Sequence, residues 1–137
     1  MVAVRPLSAP DGTRSAEDVY RVFKSAPHVP TPLINRGRLF LWDDKGVVTA
    51  ADAATGKVIW QKRVGGTYFS SPVCVAGRLY NIDVTGKVFV LGTGDEPQVL
   101  ARNSLPEGGR ATPAVGGGML LVRTTNRLYA IGRTASD

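Results

Sequence analysis

Residues 51–61, ADAATGKVIWQ, close an apolar run on Asp52, turn through Thr55-Gly56-Lys57 and rise again to Trp60. A Gly-Lys pair raises the question of a phosphate loop. A Walker loop needs the spacing GxxxxGK[ST] between a strand and a helix, whereas Lys57 leads into Val58-Ile59-Trp60, a β-branched and aromatic run that favours a strand. The residue types suit a tight turn. Asp52 and Thr55 can bond turn amides, Gly56 can take positive φ, and Trp60 carries a large apolar contact beyond the turn. The stretch therefore joins two strands and holds no phosphate.

Working outward, the same pattern recurs. Thr31-Pro32, Ser71-Pro72 and Thr112-Pro113 stand 40 and 41 residues apart, and each opens an apolar stretch. Six residues after each opening lie Gly37, Gly77 and Gly118, followed by RLFLW, RLYNI and MLLVR. Gly46, Gly86 and Asn126 mark the next equivalent turn, residue types that readily adopt positive φ, with one residue deleted in the third copy. VVTAA, KVFVL and RLYAI follow in register. The unit ends on KVIWQKRV in the first copy and QVLARNSL in the second, aligned with Leu100 at the Trp60 position. Aligned backwards by one repeat, VYRVFKS at residues 19–25 puts Tyr20 in that position, and VAVR at 2–5 falls on the third strand. Residues 7–18 then read as an enlarged polar turn.

Four short strands every 40 or so residues is the spacing of a propeller blade, whose small sheet needs its neighbours to cover it. The expectation is an all-β fold: a partial β-propeller of four-stranded antiparallel blades. Its segments are 1–25 (the last two strands of an upstream blade), 26–64 and 65–105 (whole blades), 106–133 (a final blade lacking its outer strand) and a 134–137 tail. Thirteen strands are expected. The inner strands PLIN, PVCV and PAVG are apolar or small at successive positions, as for strands packed on both faces, which makes Cys74 a buried inert thiol.

The Thr/Ser-Pro inner strand, the Gly turn and ADAATGKVIWQ together resemble the pyrroloquinoline-quinone-like (PQQ-like) repeat of bacterial β-propellers, with its signature Ala-x-Asp-x-x-Thr-Gly-x-x-x-Trp. The resemblance spans nearly the whole chain and extends, through residues 110–132, to planctomycete-like members. It implies a structural role for Asp52, Thr55, Gly56 and Trp60, with the tryptophan docked between adjacent blades. In the second copy the element becomes GTGDEPQ at residues 92–98, which lacks the aspartate, threonine and tryptophan. Quinoprotein dehydrogenases of the family carry a calcium site, a catalytic aspartate and often adjacent cysteines, and none of that constellation stands in this sequence. The family also implies an exported or periplasmic location. No leader is recognisable before residue 12, so a cytoplasmic one stays open.

Composition narrows the remaining classes. The formal charge of +6 comes from 17 Lys and Arg against 11 Asp and Glu, scattered singly rather than clustered beside aromatics, so no nucleic-acid partner is expected. No segment approaches the roughly 18 apolar residues of a membrane-spanning helix. One cysteine excludes an internal disulfide and a thiol metal cluster. Asp43 and Asp44 read as a solvated turn, and no metal or cofactor is expected. Function in a propeller concentrates in turns near the axis. His28, Tyr68 and Arg110, just before the inner strands, are the candidate ligand-binding residues at one axial mouth, suited to an anionic or aromatic ligand. No catalytic residue is identified. The expected role is a noncatalytic scaffold or protein/ligand interaction module. The alternatives are the C-terminal part of a quinoprotein oxidoreductase and an envelope-assembly or sensor propeller. The bare flanks of such an arc call for the remaining blades of a longer propeller or a second copy of the chain, and a protein partner remains open.

Overall fold

The structure, a computed structural model, describes residues 1–22, 24 and 26–132. Phe23, Ser25 and the expected 134–137 tail, with residue 133, lie outside the described residues. The described residues form strands and turns only, so none of them builds a helix long and apolar enough to cross a membrane.

The repeat becomes strands in the expected order. A hairpin of β1 (Val2–Ser8) and β2 (Arg14–Arg21) comes first. Then follow β3 (Leu33–Asn35), β4 (Arg38–Trp42), β5 (Val47–Asp52) and β6 (Val58–Arg63), and next β7 (Val73–Val75), β8 (Arg78–Ile82), β9 (Lys87–Gly92) and β10 (Val99–Ser104). Last are β11 (Ala114–Gly116), β12 (Met119–Arg123) and β13 (Leu128–Ile131). Each group is an antiparallel meander, giving sheets of two, four, four and three strands. The all-β partial propeller expected from the repeat is what the chain forms.

Turn chemistry explains the meanders. Arg36-Gly37, Ala76-Gly77 and Gly117-Gly118 all have positive φ at both positions, from 47° to 75°, as a two-residue hairpin turn of matching twist requires. Asn126 does not share the positive φ of Gly46 and Gly86. The deleted residue is the reason: Thr124 N–H reaches Arg127 O, where Asp43 and Asp83 each close on the residue four positions ahead. The first hairpin also differs from expectation. Its strands run on in register to Leu7↔Ser15 and Ser8↔Arg14, so residues 7–18 are mostly strand and the turn is confined to residues 9–13.

The cores lie between the sheets. One cluster joins Phe40, Trp42, Val48, Ala50 and Trp60 of the first four-stranded sheet to Leu79, Phe89 and Leu91 of the second, with Tyr68 between them. Another joins Ile82 and Val88 to Val122 of the third. On β9 the alternation is plain, Phe89 and Leu91 facing one neighbour while Val88 supplies the other core. Each sheet thus buries its faces only by standing next to another.

Burial is deepest in the second and third strands of each blade, β4, β5, β8 and β9, rather than in the innermost strands. The expected two-sided packing of β3, β7 and β11 is not seen: Ile34 is 67% and Val115 52% exposed. These strands border the axis, and the described residues place no blade across from them. Cys74 is half-buried, and the apolar surroundings push its thiol up.

Candidate functional site

The opening turn is organised by one carboxylate. Asp52 Oδ1 accepts from the Ala54 and Thr55 amides at 3.1 and 2.8 Å and from the Thr55 hydroxyl at 2.8 Å, while Gly56 N–H closes on Asp52 O at 2.8 Å. The hydroxyl and amide of Thr55 hold the Asp52 carboxyl below its ordinary value. Gly56 has φ of 72°, and a methyl there would collide with the Tyr20 ring. Its lack of a side chain makes the turn the seat of the preceding blade's aromatic residue.

That seating recurs. The Tyr20 hydroxyl donates to Ala53 O at 2.9 Å, and Trp60 Nε1 donates to Gly94 O in the next blade at 3.0 Å. Arg38 adds a bond to Thr93 O at 2.7 Å and an ion pair with Asp95. The divergent turn at residues 92–98 therefore still receives its neighbour, through backbone carbonyls and one acid. The pairing register corrects the alignment of the second copy: Trp60 stands opposite Ala50, and its counterpart opposite Val90 is Ala101. Leu100 falls in the bulge, as Ile59 and Val19 do in their own sheets, and the alignment is off by one because the second turn is one residue longer.

Nearer the axis a second link repeats. Thr31 N–H donates to Ser71 Oγ at 2.8 Å, and Ser71 N–H donates to Thr112 Oγ1 at 3.0 Å. The hydroxyls of Ser71 and Thr112 thus each lock their blade to the one before. No sequence reading of a Thr/Ser-Pro step had assigned it that task, although its recurrence at 40 and 41 residues was the available signal.

The three candidate ligand residues part company. His28 is exposed, with its amide 3.2 Å from Asp44 Oδ1 and its Nδ1 3.7 Å from Asp44 Oδ2. Tyr68 donates its amide to Asp44 O at 3.0 Å, so the two loops meet at one residue. The Tyr68 side chain, however, is fully buried, its ring edge-on to Trp42 at 5.1 Å, and it presents nothing to the axial mouth. Burial and then the nearby Asp83 charge push its hydroxyl pKa up. The neighbour that does face outward is Phe69, 42% exposed, with the Arg110 guanidinium 4.9 Å above its ring. Successive residues of an extended segment point opposite ways, so an offset of one residue decides between core and surface. Asp43, expected in a turn, accepts the Lys45 and Val47 amides.

One measurable consequence concerns acid. A carboxyl held low in the folded state stabilises the fold above the ordinary value of about 3.9, and that contribution fades as pH falls through the folded value. Asp52→Ala is expected to lower the urea midpoint at pH 7. The gap from the unaltered chain should narrow below about pH 4, and a gap independent of pH would contradict the assignment.

The comparisons agree with this architecture. The structure of BamB from Moraxella catarrhalis superposes with a TM-score of 0.65 at 16% identity, over 95% of this chain and 46% of that one. A quinohemoprotein alcohol dehydrogenase, ADHIIG from Pseudomonas putida HK5, superposes with a TM-score of 0.64 at 13% identity, over 89% of this chain and 27% of that one. The chain thus spans less than half the length of either, and at these identities the likeness is one of fold. No curated protein gives a significant match. The family model described as outer membrane protein assembly factor BamB matches residues 3–131, and with its interblade seats on the page the chain belongs to that family of PQQ-like propellers.

Proposed function

We propose that the chain serves as a noncatalytic interaction module, an arc of propeller that holds a protein partner in the bacterial envelope. One observation carries the reading: the polar groups a catalyst would need are engaged in holding the fold. Asp43, Asp44, Asp52 and Asp83 each accept backbone amides of turns or linkers, Glu107 accepts the Asn126 amide, and Ser71 and Thr112 link blades. One outward-facing groove is apolar. Of about 260 Å³, it lies between the second and third of the larger sheets and is lined by Val75, Tyr80, Val115, Met119, Leu120 and Ile131.

The family description, an outer membrane assembly factor, supports an exported or periplasmic setting and a protein as partner. Further blades of a longer propeller are the proposed cover for the arc's flanks, since the chain matches 46% of a BamB chain. Fold alone does not assign activity. The test has two arms. A photocrosslinker at Val115, in cells producing the protein, is expected to give one discrete protein adduct that the same probe at exposed Val58 does not give. Dye reduction by the purified protein supplied with quinone, calcium and alcohols is expected to stay at background, and turnover would overturn the noncatalytic reading.

A further inference from the structure

The two junctions between the larger sheets are built on equivalent positions and filled differently. Three residues before the hydroxyl-proline steps at Ser71 and Thr112 stand Tyr68 and Gly109. At the first junction the Tyr68 ring fills the space against Trp42, with the Asp83 carboxylate close enough to act on its hydroxyl. At the second, strand register and turn closure put Ile82 in the place of Trp42, Arg123 in the place of Ile82 and Thr124 in the place of Asp83. Gly109 is approached so closely by the Arg123 carbonyl and Ile82 that a Cβ would stand 2.8 and 2.9 Å from them, so the chain itself closes the place that the Tyr68 ring fills at the first junction.

The exchange removes a carboxylate, Asp83 giving way to Thr124, and introduces an arginine, Arg123. Beside this junction lies a pocket of about 360 Å³, lined by Gly109, Arg110, Arg123, Thr124 and Thr125 among others. That volume lies in the range of small-molecule sites. Arg110 is steadied from one side by the Phe69 ring. Neither arginine has a carboxylate partner among the described residues. The adjacent acids are occupied: Glu107 bonds the Asn126 amide at 2.8 Å and pairs with Arg127, and Asp83 Oδ1 accepts from Thr85 and Lys87.

We propose that this cavity binds a small oxyanion, a carboxylate or phosphate group of a small molecule, through Arg110 and Arg123. Guanidinium forks match either group bidentately, and the removal of the repeat's own acid leaves their charge to be met from outside. The site does not depend on whether the propeller also holds a protein. Calorimetric titration of the 137-residue chain with inorganic phosphate and, separately, succinate, at ionic strength held constant with chloride, tests it. Saturable one-to-one binding of at least one anion is expected, and which anion binds names the class. Arg110→Gln and Arg123→Gln should each weaken it about ten-fold or more, the worth of a charged hydrogen bond. Arg14→Gln, which removes the same charge from the distant hairpin, should leave it unchanged. No saturable binding of either anion, or equal weakening by Arg14→Gln, would overturn the proposal.

Discussion

Trp60→Ala is expected to lower unfolding stability by about 3–5 kcal/mol, the usual cost of deleting a buried large aromatic side chain. Trp60 is 7% exposed, contacts Phe40 at 6.0 Å between ring centroids, and reaches across to Gly94 O. Because its partners lie in two sheets, the loss should be felt in both. Trp60→Phe keeps most of the apolar contact and loses the 3.0 Å bond, so a smaller drop of about 1 kcal/mol is expected. Urea unfolding measures both, with Trp42, the other of the chain's two tryptophans, as the remaining fluorescent reporter. A Trp60→Ala loss below about 1 kcal/mol would mean that the interblade contact contributes little. Against a total stability of about 5–15 kcal/mol, the expected loss is large.

Tyr68 yields the second large effect, and a more discriminating one. Tyr68→Ala should cost about 3–5 kcal/mol by leaving a void against Trp42. Its buried hydroxyl makes no well-formed hydrogen bond, Trp42 Nε1 beside it being left equally without one, so Tyr68→Phe is expected to be neutral or to stabilise by about 1 kcal/mol. The alkaline limb supplies a further check. A hydroxyl whose pKa is raised by burial stabilises the fold below the ordinary tyrosine value of about 10 and loses that contribution as pH rises past it. Tyr68→Phe should therefore unfold less steeply with alkali than the unaltered chain. A Tyr68→Phe variant as damaged as Tyr68→Ala would contradict the burial of an unpaired hydroxyl.

Much of this architecture could be read before any coordinates because the repeat writes each feature several times. Turn glycines at Gly37, Gly77 and Gly118 and hydroxyl-proline steps at Thr31, Ser71 and Thr112 lie at one spacing, and only stacked sheets of equal size place them so. Tyr20, aligned to Trp60 without sharing its identity, makes the matching bond to the next blade, so shape and a terminal donor are what the position requires.

The misreadings arose where the spacing shifts by one residue. The longer turn before β10 moved Ala101 into the aromatic column and Leu100 into a bulge, and the shorter turn at Thr124 relieved Asn126 of positive φ. In an extended linker a single step separates the buried Tyr68 from the exposed Phe69. Pattern carries no such resolution when strand pairing is unknown. The pocket beside Gly109 was hidden for a related reason, since the exchange of Asp83 for Thr124 and of Ile82 for Arg123 gains meaning only when strand pairing sets the two junctions side by side.

No sheet among the described residues stands alone, and native-state hydrogen exchange on the amides of β4, β5, β8 and β9 shows whether this is so. The two four-stranded sheets should open with one shared free energy, and Trp60→Ala should lower that value by the same amount in both. Retention of full protection in β8 and β9 while β4 and β5 lose theirs would show each sheet holding itself, contrary to this account.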